Sequence, residues 1–168
     1  YELEDVLPFS WQGYESRVRY TYVLEDLRDE SALWSNLSGR TRRAIRKAEK
    51  VLTVRETSDV KLFMRLYAKT FSRQNIACPV GPQTIQQVYD AAFAHKAVKL
   101  LVAEDAQGQA HGAVFLLYDE RTTYYLMGGS DPALRDSQPL SLLLWSAIQF
   151  AASTSLRFDF EGSMIRSV

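Results

Sequence analysis

The spacing of hydrophobic residues along the chain predicts three long helices and three consecutive strands. Apolar side chains recur every three or four residues over residues 58–71, 85–95 and 139–153, which is typical of helices with one buried face. Residues 98–104, 112–118 and 122–127 are mostly apolar runs separated by turn residues, and they predict an antiparallel meander. The inward side chains of the first two helices are expected to be Val60, Phe63, Met64, Tyr67 and Phe71, then Ile85, Val88, Tyr89, Ala92 and Phe93.

Three further strands are predicted, over residues 17–24, 51–55 and 156–160. The first of them has Val18, Tyr20, Tyr22 and Leu24 on one face. The last follows a helix, so a crossover is expected to place it parallel to the third strand of the meander. This order of elements predicts an α+β fold with a mixed, mostly antiparallel central sheet flanked by helices.

Short polar segments mark where other elements begin. Asp29 or Ser31 is expected to cap a short helix, and Ser38 caps a basic helix that follows it. Residues 1–16 are acidic and then aromatic, and we interpret them as a leading segment or linker. Residues 17–168 are expected to form one domain.

The composition excludes several classes of function. Twenty lysines and arginines balance twenty acidic residues, so no net field draws the chain to DNA. Cys78 is the single cysteine, which excludes an internal disulfide and a zinc site built from cysteines. The two histidines, His95 and His111, are not spaced as metal ligands, and we predict no metal site. No signal peptide or membrane-spanning stretch is visible, so we expect a cytoplasmic protein.

Basic residues are concentrated in one part of the chain. Residues 39–73 contain eleven basic and three acidic residues, a net charge of +8, whereas the segments on either side are net acidic. The density is highest in the predicted basic helix over residues 39–50. Its Arg42, Arg43 and Arg46 are candidates for contacts with phosphates or other anions. The alternative is a solvated helix face whose arginines pair with neighbouring acidic groups.

The passage from the third meander strand to the next helix is a candidate donor-binding site. The residues expected to leave the strand there are Met127, Gly128, Gly129 and Ser130, and the glycines would let a ligand approach the backbone. Pro139 suits the first helical position, with Ser137 or Gln138 as the cap. The free amides at that helix end, and Arg135 just outside it, favour an anion such as a phosphate. The alternative is a plain capped helix after a turn that needs a positive φ.

The order of elements resembles that of the Gcn5-related N-acetyltransferases (GNAT). In that family a loop with the pattern Arg/Gln-x-x-Gly-x-Gly/Ala leads from the third meander strand into a helix that binds pyrophosphate. The corresponding run here is Arg135-Asp136-Ser137-Gln138-Pro139-Leu140. Arg135 matches the pattern, while Gln138 and Leu140 stand in place of small residues. The resemblance implies that the acyl donor binds at residues 127–130 and 135–140.

A closer similarity is to the Fem-type (FemABX) aminoacyltransferases and their acetyltransferase-like relatives within that fold. The segments that carry it are WSNLSGRTRRAIRKAEK (34–50), YYLMGGS (124–130), LLLW with Ile148 (142–148) and FDFEGS (158–163). Fem-type proteins carry two such domains and transfer an amino acid from aminoacyl-tRNA to an amine of a bacterial cell-wall precursor. The resemblance implies one acyltransferase domain, truncated at its C-terminus and half of a tandem pair. Its co-substrate would be acyl-CoA or aminoacyl-tRNA, with no tightly bound cofactor.

Few residues are candidates for the chemistry of amide formation, which needs a neutral amine and a path for its proton. Asp159 and Glu161 lie two residues apart at the end of the last predicted strand, so in extended backbone their side chains share a face and one of them could receive the proton. The alternative is a carboxylate held by backbone amides or an arginine. Tyr124 and Tyr125 point to opposite faces of a strand, so one of them should face the cleft and could give a proton to the leaving group. We take Tyr125 as the candidate, with packing in the core as the alternative role.

Two classes of function remain open from the sequence. The first is transfer of an acyl or aminoacyl group from an activated donor to a primary amine. The second is a non-catalytic module that binds an anion or a partner through the basic helix at residues 39–50.

Overall fold

Six strands form one sheet in the computed structural model, which describes residues 6–15, 20–72 and 76–162. The strands are β1 (Val23–Leu24), β2 (Thr53–Thr57), β3 (Val98–Glu104), β4 (Ala110–Tyr118), β5 (Thr122–Ser130) and β6 (Arg157–Asp159). Their order across the sheet is β1-β6-β5-β4-β3-β2, and every neighbouring pair is antiparallel except β5 with β6. The predicted α+β fold with a mixed, mostly antiparallel sheet is confirmed.

Two short turns, each closed by an aspartate, fold β3, β4 and β5 into the predicted meander. Asp105 Oδ1 accepts hydrogen bonds from the backbone N–H groups of Gln107 and Gln109, at 3.0 and 2.9 Å. Asp119 Oδ1 accepts from the N–H of Thr122 at 2.8 Å. Aspartate side chains stabilise turns in this way because they replace the backbone acceptor that a turn lacks.

Helices begin close to where their capping residues predict. They are α1 (Leu7–Trp11), α2 (Glu30–Asn36), α3 (Gly39–Ala48), α4 (Val60–Ser72), α5 (Pro82–Ala94) and α6 (Pro139–Thr154), and a 3-10 helix over Pro132–Ser137 precedes α6. Asp29 accepts from the Ala32 N–H at 2.9 Å, which fixes the start of α2. Ser38 Oγ accepts from the Thr41 N–H at 3.1 Å and fixes the start of α3.

The helices cover both faces of the sheet, because alternate residues of each strand point to opposite sides. Leu101 and Leu116 belong to one core cluster with α3 and α6. Leu100 and Phe115 belong to a second cluster with α4 and α5 on the other face. Strands buried on both faces need apolar side chains at nearly every position, which explains the continuous apolar runs of β3 and β4.

The structure corrects the predictions at the margins of the sheet. Of the strand predicted over residues 17–24, the structure describes residues 20–24, and within these β1 is limited to Val23–Leu24, while Tyr20 and Tyr22 are 64% and 81% exposed. The reason is that β1 is an edge strand whose partner, β6, offers only two residues for pairing. Val18 lies outside the described residues. Phe93, predicted to face inward, is 63% exposed because α5 buries the face that carries Ile85 and Tyr89.

The two strands next to the candidate site also differ from their predicted bounds. β5 continues to Ser130, so residues 127–130 are paired strand and not the exit from it. β6 ends at Asp159, one residue before the predicted end. Phe160 still donates its N–H to the carbonyl of Tyr22, 3.0 Å away, which turns the chain toward β1 and away from β5.

Candidate active site

The two parallel strands part from each other soon after they meet. β5 pairs with β6 only at Thr122–Arg157, Thr123–Phe158 and Tyr124–Asp159. It then runs six residues further to Ser130 with β4 alone beside it. In the described part of the chain, the other edge of β5 beyond Tyr124 therefore carries backbone groups that no strand pairs.

The N-terminus of α6 lies at the open end of β5 and lines a polar cleft of about 270 Å³. The lining includes Ser130 from β5, Arg135 and Asp136 from the 3-10 helix, and Gln138, Leu140 and Ser141 around the start of α6. Among the described residues that line the cleft, the charged ones are Arg135 and Asp136. The cleft thus brings together several residues that the sequence predicts as a donor site.

The backbone at the start of α6 leaves one N–H available to a ligand. Pro139 has no N–H, and the N–H groups of Ser141 and Leu142 both donate to the Gln138 carbonyl. In the described residues the N–H of Leu140 has no hydrogen-bond partner. Gln138 adopts a left-handed conformation (φ 60°), which turns the chain from the 3-10 helix into α6. Gln138 is the N-cap residue of α6, one of the two predicted, and the turn with a positive φ that the sequence left open is present, but the Gln138 side chain makes no capping hydrogen bond.

The two glycines of β5 are covered by the protein itself. A β-carbon on Gly129 would lie 2.6 Å from the Leu66 carbonyl oxygen and from the Tyr67 nitrogen, so α4 packs directly on this residue. A β-carbon on Gly128 would lie 3.0 Å from the ring of Tyr125. The interpretation of these glycines as bare backbone for a ligand is therefore wrong for Gly129. Met127 packs against the core cluster on the α4 side, and of residues 127–130 only Ser130 lines the cleft.

Tyr125 is the first residue of β5 beyond the point where the strands part. Its ring is partly buried on the α6 face of the sheet, over Gly128. Burial raises the pKa of its phenol above the ordinary value of 10.0, and the nearby Tyr67 adds to the effect. The hydroxyl has no hydrogen-bond partner in the described residues, so at neutral pH Tyr125 offers an uncommitted O–H.

The carboxylates of Asp159 and Glu161 do not share a face. β6 ends at Asp159, and Glu161 has a left-handed backbone (φ 60°) that breaks the strand alternation. Asp159 Oδ1 accepts from the Glu161 N–H at 2.8 Å and from the Thr21 hydroxyl. The side chain of Asp159 thus closes the turn after β6, which is the alternative that the sequence left open. Glu161 is exposed.

The three arginines predicted to bind anions have different surroundings. Arg42 Nη1 donates to the carbonyl oxygens of Ser35 and Leu37, both at 2.6 Å, so its guanidinium caps the C-terminal end of α2. Arg46 lies 5.6 Å from the centre of the Trp34 ring, in a cation–π contact. Arg43 is exposed. The prediction that Arg42 faces an anion is wrong, because the α2 carbonyls hold it.

A buried polar chain that the sequence did not reveal supports the start of α6. His111 is 7% exposed, with Nδ1 2.8 Å from Ser137 Oγ and Nε2 3.1 Å from Asp105 Oδ2. Ser137 Oγ also donates to the Leu134 carbonyl at 2.7 Å. These contacts join the β3–β4 turn to the 3-10 helix beside the cleft. No local signal predicts them, since Ser137 lies 26 positions from His111.

Within residues 6–15, 20–72 and 76–162, no three histidine, cysteine or acidic side chains are grouped so that they could hold a metal ion. In the same ranges, no helix combines the length and the apolar character that crossing a bilayer requires.

Comparison with known families gives one match over most of the chain. The sequence profile described as "Acetyltransferase (GNAT) domain" matches residues 35–163. No curated protein matches the chain significantly.

Solved structures share the fold at low sequence identity. FemX has a TM-score of 0.77 and 15% identity, over 85% of this chain and 52% of FemX. A conserved protein of unknown function from Bacteroides thetaiotaomicron has a TM-score of 0.63 and 12% identity, over 89% of this chain and 52% of that protein. A predicted acetyltransferase from Clostridium acetobutylicum, solved with acetyl-CoA, has a TM-score of 0.50 and 12% identity, over 61% of this chain and 74% of that one. The chain spans about half the length of the first two.

Proposed function

Since the chain belongs to the acetyltransferase (GNAT) domain family, we propose that it transfers an acyl group from acyl-coenzyme A to a primary amine. One observation carries this proposal. β5 and β6 part after three paired residues, and the start of α6 lies at the opening with a polar cleft beside it. A long donor can therefore lie along the strand edge with its charged end at the helix.

The diphosphate of the donor is proposed to bind at the start of α6. The partial positive charge of a helix N-terminus attracts anions, and the free N–H of Leu140 can donate to a phosphate oxygen. Arg135 adds an exposed guanidinium at the same rim. Asp136 opposes it with a carboxylate, which lowers the expected affinity. Binding in this site is proposed to be reversible and of moderate strength.

The pantetheine arm of the donor is proposed to lie along the unpaired edge of β5. Its two amide groups can hydrogen-bond to backbone N–H and C=O groups there, as an added strand would. An uncovered strand edge has unpaired N–H and C=O groups, which can hydrogen-bond to the amides of the pantetheine arm. The thioester then lies near the point where β5 and β6 part, beside Tyr125.

Tyr125 is proposed to protonate the leaving group. The neutral amine attacks the thioester carbonyl, a C–N bond forms, and the C–S bond breaks to release a thiolate. The phenol gives its proton to that thiolate and regains one from water, while the proton of the amine passes to water or an exposed carboxylate such as Glu161. With a pKa above the ordinary value of 10.0, the phenol is protonated at neutral pH and therefore carries the proton that this role needs.

Aminoacyl-tRNA is the second candidate donor, with an amine of a cell-wall precursor as the acceptor. The FemX-like fold and the exposed cations of α3, Arg40, Arg43 and Lys47, favour it. The same face would serve the non-catalytic alternative, a module that only binds a polyanion. Replacing these three residues with glutamine is expected to abolish tRNA binding, measured at low and moderate salt. Retained binding in that variant would contradict both ideas.

The proposed function is tested by titrating coenzyme A and acetyl-CoA into the protein and by assaying acyl transfer to a panel of primary amines. Arg135→Ala is expected to weaken coenzyme A binding about tenfold, and Asp136→Asn to tighten it about threefold, because the two charges act on the diphosphate with opposite signs. Arg121→Ala, an exposed arginine in the β4–β5 turn, is the matched control. No binding of either compound, with the protein folded, contradicts the proposal.

A further inference from the structure

A second cavity, of about 230 Å³, lies between α3, α6 and the residue that follows β6. Much of its wall is apolar and consists of Ile45 from α3, Leu144 and Ile148 from α6, and Phe160. Thr41 and Ser141 are the polar residues among those that line it. A pocket with walls of this kind favours an uncharged apolar ligand, because a polar group placed there would lose its hydrogen bonds to water.

The cavity and the polar cleft share one wall. Leu140 and Ser141, in the first turn of α6, line both of them. From there the apolar wall continues along one face of the helix through Leu144 and Ile148, which follow Leu140 at intervals of four residues. At 1.5 Å per residue this face is about 12 Å long. The far end of the cavity, at Ile148, is therefore about 12 Å along α6 from the turn at which the charged end of the donor is proposed to bind.

Phe160 connects this cavity with the parted strands. It follows directly after β6 and packs against the core cluster on the α6 side of the sheet. Tyr125, the proposed proton donor, packs against the same cluster from β5. The apolar cavity thus lies on the face of the sheet on which the proposed leaving-group chemistry occurs.

We infer that this cavity holds the acyl group of the donor, and that the preferred donor is an acyl-CoA with a medium-length or branched aliphatic acyl group. This inference rests on the proposed function and specifies its substrate class. An acetyl group would leave most of the cavity unfilled, whereas each added methylene is removed from water against apolar walls. An aminoacyl group carries an ammonium next to its carbonyl, and among the residues that the structure describes no carboxylate lines the cavity. An uncharged acyl group is therefore favoured over an aminoacyl group.

The experiment compares the affinities of coenzyme A, acetyl-, butyryl-, hexanoyl- and octanoyl-CoA for the intact chain by calorimetry, with Trp145 fluorescence as a second readout because Trp145 lines the cavity. The dissociation constant is expected to fall about threefold to fourfold for each added methylene until the cavity is filled. Equal affinity for all acyl-CoAs overturns the inference and leaves the proposed function standing. Failure of coenzyme A itself to bind contradicts the proposed function instead.

Two substitutions at one position test where the chain-length dependence arises. Leu144→Trp fills the cavity and is expected to reduce the ratio of octanoyl-CoA to acetyl-CoA affinity at least tenfold. Leu144→Ala enlarges the cavity and is expected to move the preference toward longer acyl groups, which keeps the test valid if the larger residue prevents folding. Leu156→Trp is the matched control, since Leu156 is 68% exposed and lies outside the cavity. An unchanged ratio in both Leu144 variants overturns the inference.

Two further measurements test whether the cavity is instead occupied by residues of the protein itself or by an aminoacyl group. If a chain that ends at Gly162 gains a chain-length dependence that the intact chain lacks, residues of the protein fill the cavity, and the inference is wrong. If leucyl-tRNA binding responds to Leu144→Trp while acyl-CoA binding does not, the cavity serves an aminoacyl group, which overturns the inference as well. Binding of acyl-CoA that responds to Leu144 supports it.

Discussion

Gly129 and Gly128 show how adjacent glycines can have different structural roles. The backbone of α4 packs on Gly129, whereas the ring of Tyr125 packs on Gly128. A helix backbone cannot move away locally, but a tyrosine ring can rotate. Substitution by alanine is therefore expected to lower the stability of the fold at Gly129 and to disturb the candidate site at Gly128.

Gly129→Ala is expected to lower the free energy of unfolding by about 3 kcal/mol, because its β-carbon overlaps the α4 backbone. Gly128→Ala is expected to cost less than about 1.5 kcal/mol but to displace Tyr125 and so reduce acyl transfer. Urea unfolding and turnover, measured on both variants, check the pair. Equal losses of stability in the two variants would contradict the packing described for α4.

Arg42 is a structural residue within a basic helix. Its guanidinium donates to carbonyl oxygens at the end of α2, a helix of seven residues that is too short to be stable alone. Arg42→Ala is expected to lower the free energy of unfolding by about 2 kcal/mol, because these carbonyls lose a charged donor. Arg43→Ala, on the exposed side of α3, is the control. It is expected to change the free energy of unfolding by less than about 0.5 kcal/mol.

The measurement is chemical unfolding of both variants, together with Arg42→Lys. A lysine has one ammonium in place of the planar guanidinium, so it is expected to recover only part of the lost stability. If Arg42→Ala and Arg43→Ala change the free energy of unfolding equally, the hydrogen bonds from Arg42 to the end of α2 do not stabilise the folded chain.

At the scale of elements, the start of α6 is held by contacts from the β3–β4 turn and from α4. Asp105 binds His111, which contacts Ser137, and Asp131 at the end of β5 pairs with Lys69 of α4. These contacts fix the 3-10 helix and therefore the position of the Leu140 N–H. The polar cleft is thus an assembly of β3–β4, β5 and α4 contacts as much as a helix end.

Acid is expected to destabilise this assembly. Hydrogen bonds from the Gln109 N–H and His111 lower the pKa of Asp105, and the Lys69 ammonium lowers that of Asp131, both below the ordinary value of 3.8. A carboxyl whose pKa is lower in the folded chain stabilises it fully above the ordinary value, and this contribution is lost as the pH falls through the folded-state pKa. Asp131→Asn is expected to reduce the loss of stability between neutral pH and about pH 3.

Urea unfolding at several pH values checks this expectation, with Glu120→Gln, in the exposed β4–β5 turn, as the control. The control is expected to lose as much stability in acid as the unmodified chain. If Asp131→Asn behaves like the control, the Lys69 pair does not stabilise the folded chain.

At the scale of the whole molecule, the sheet divides into a paired part and an open edge. β3 and β4 have strand partners on both sides, whereas in the described residues β5 has partners on both sides only at its beginning and β4 alone beyond Tyr124. Backbone groups on the open edge exchange with water more readily than those between paired strands. Donor binding in the proposed site should therefore change the two parts differently.

Hydrogen exchange is expected to slow on addition of coenzyme A for Leu140 and for the open-edge amides among residues 125–130, while the amides of β3 are unchanged. The reason is that the donor would hydrogen-bond to Leu140 and to the open edge of β5, but would not contact β3. Mass spectrometry or NMR of the intact chain measures both. Protection that appears uniformly across the sheet would indicate general stabilisation and not binding along β5.

The helices, the meander and the family resemblance were predictable from the sequence because each depends on residues close together in the chain. The spacing of apolar residues located α4, α5 and α6. Asp29 and Ser38 directly precede the first residues of α2 and α3, and Pro139 is the first residue of α6. The candidate cleft was predicted in part, through Arg135, Gln138 and Leu140, since a strand followed by a helix always brings these residues to one end of the sheet. The sequence therefore determined the order and type of the elements.

Only the tertiary structure decided which side chains are free to act. The partners of His111, Arg42 and Gly129 lie on other elements, and no local pattern specifies them. The same holds for the point where β5 and β6 separate. Asp159 is the last residue of β6 that pairs with β5, and the next residue, Phe160, donates its N–H to the carbonyl of Tyr22. Local preferences select elements through short-range backbone and side-chain contacts, but the environment of a functional group is set by the packing of residues far apart in the chain.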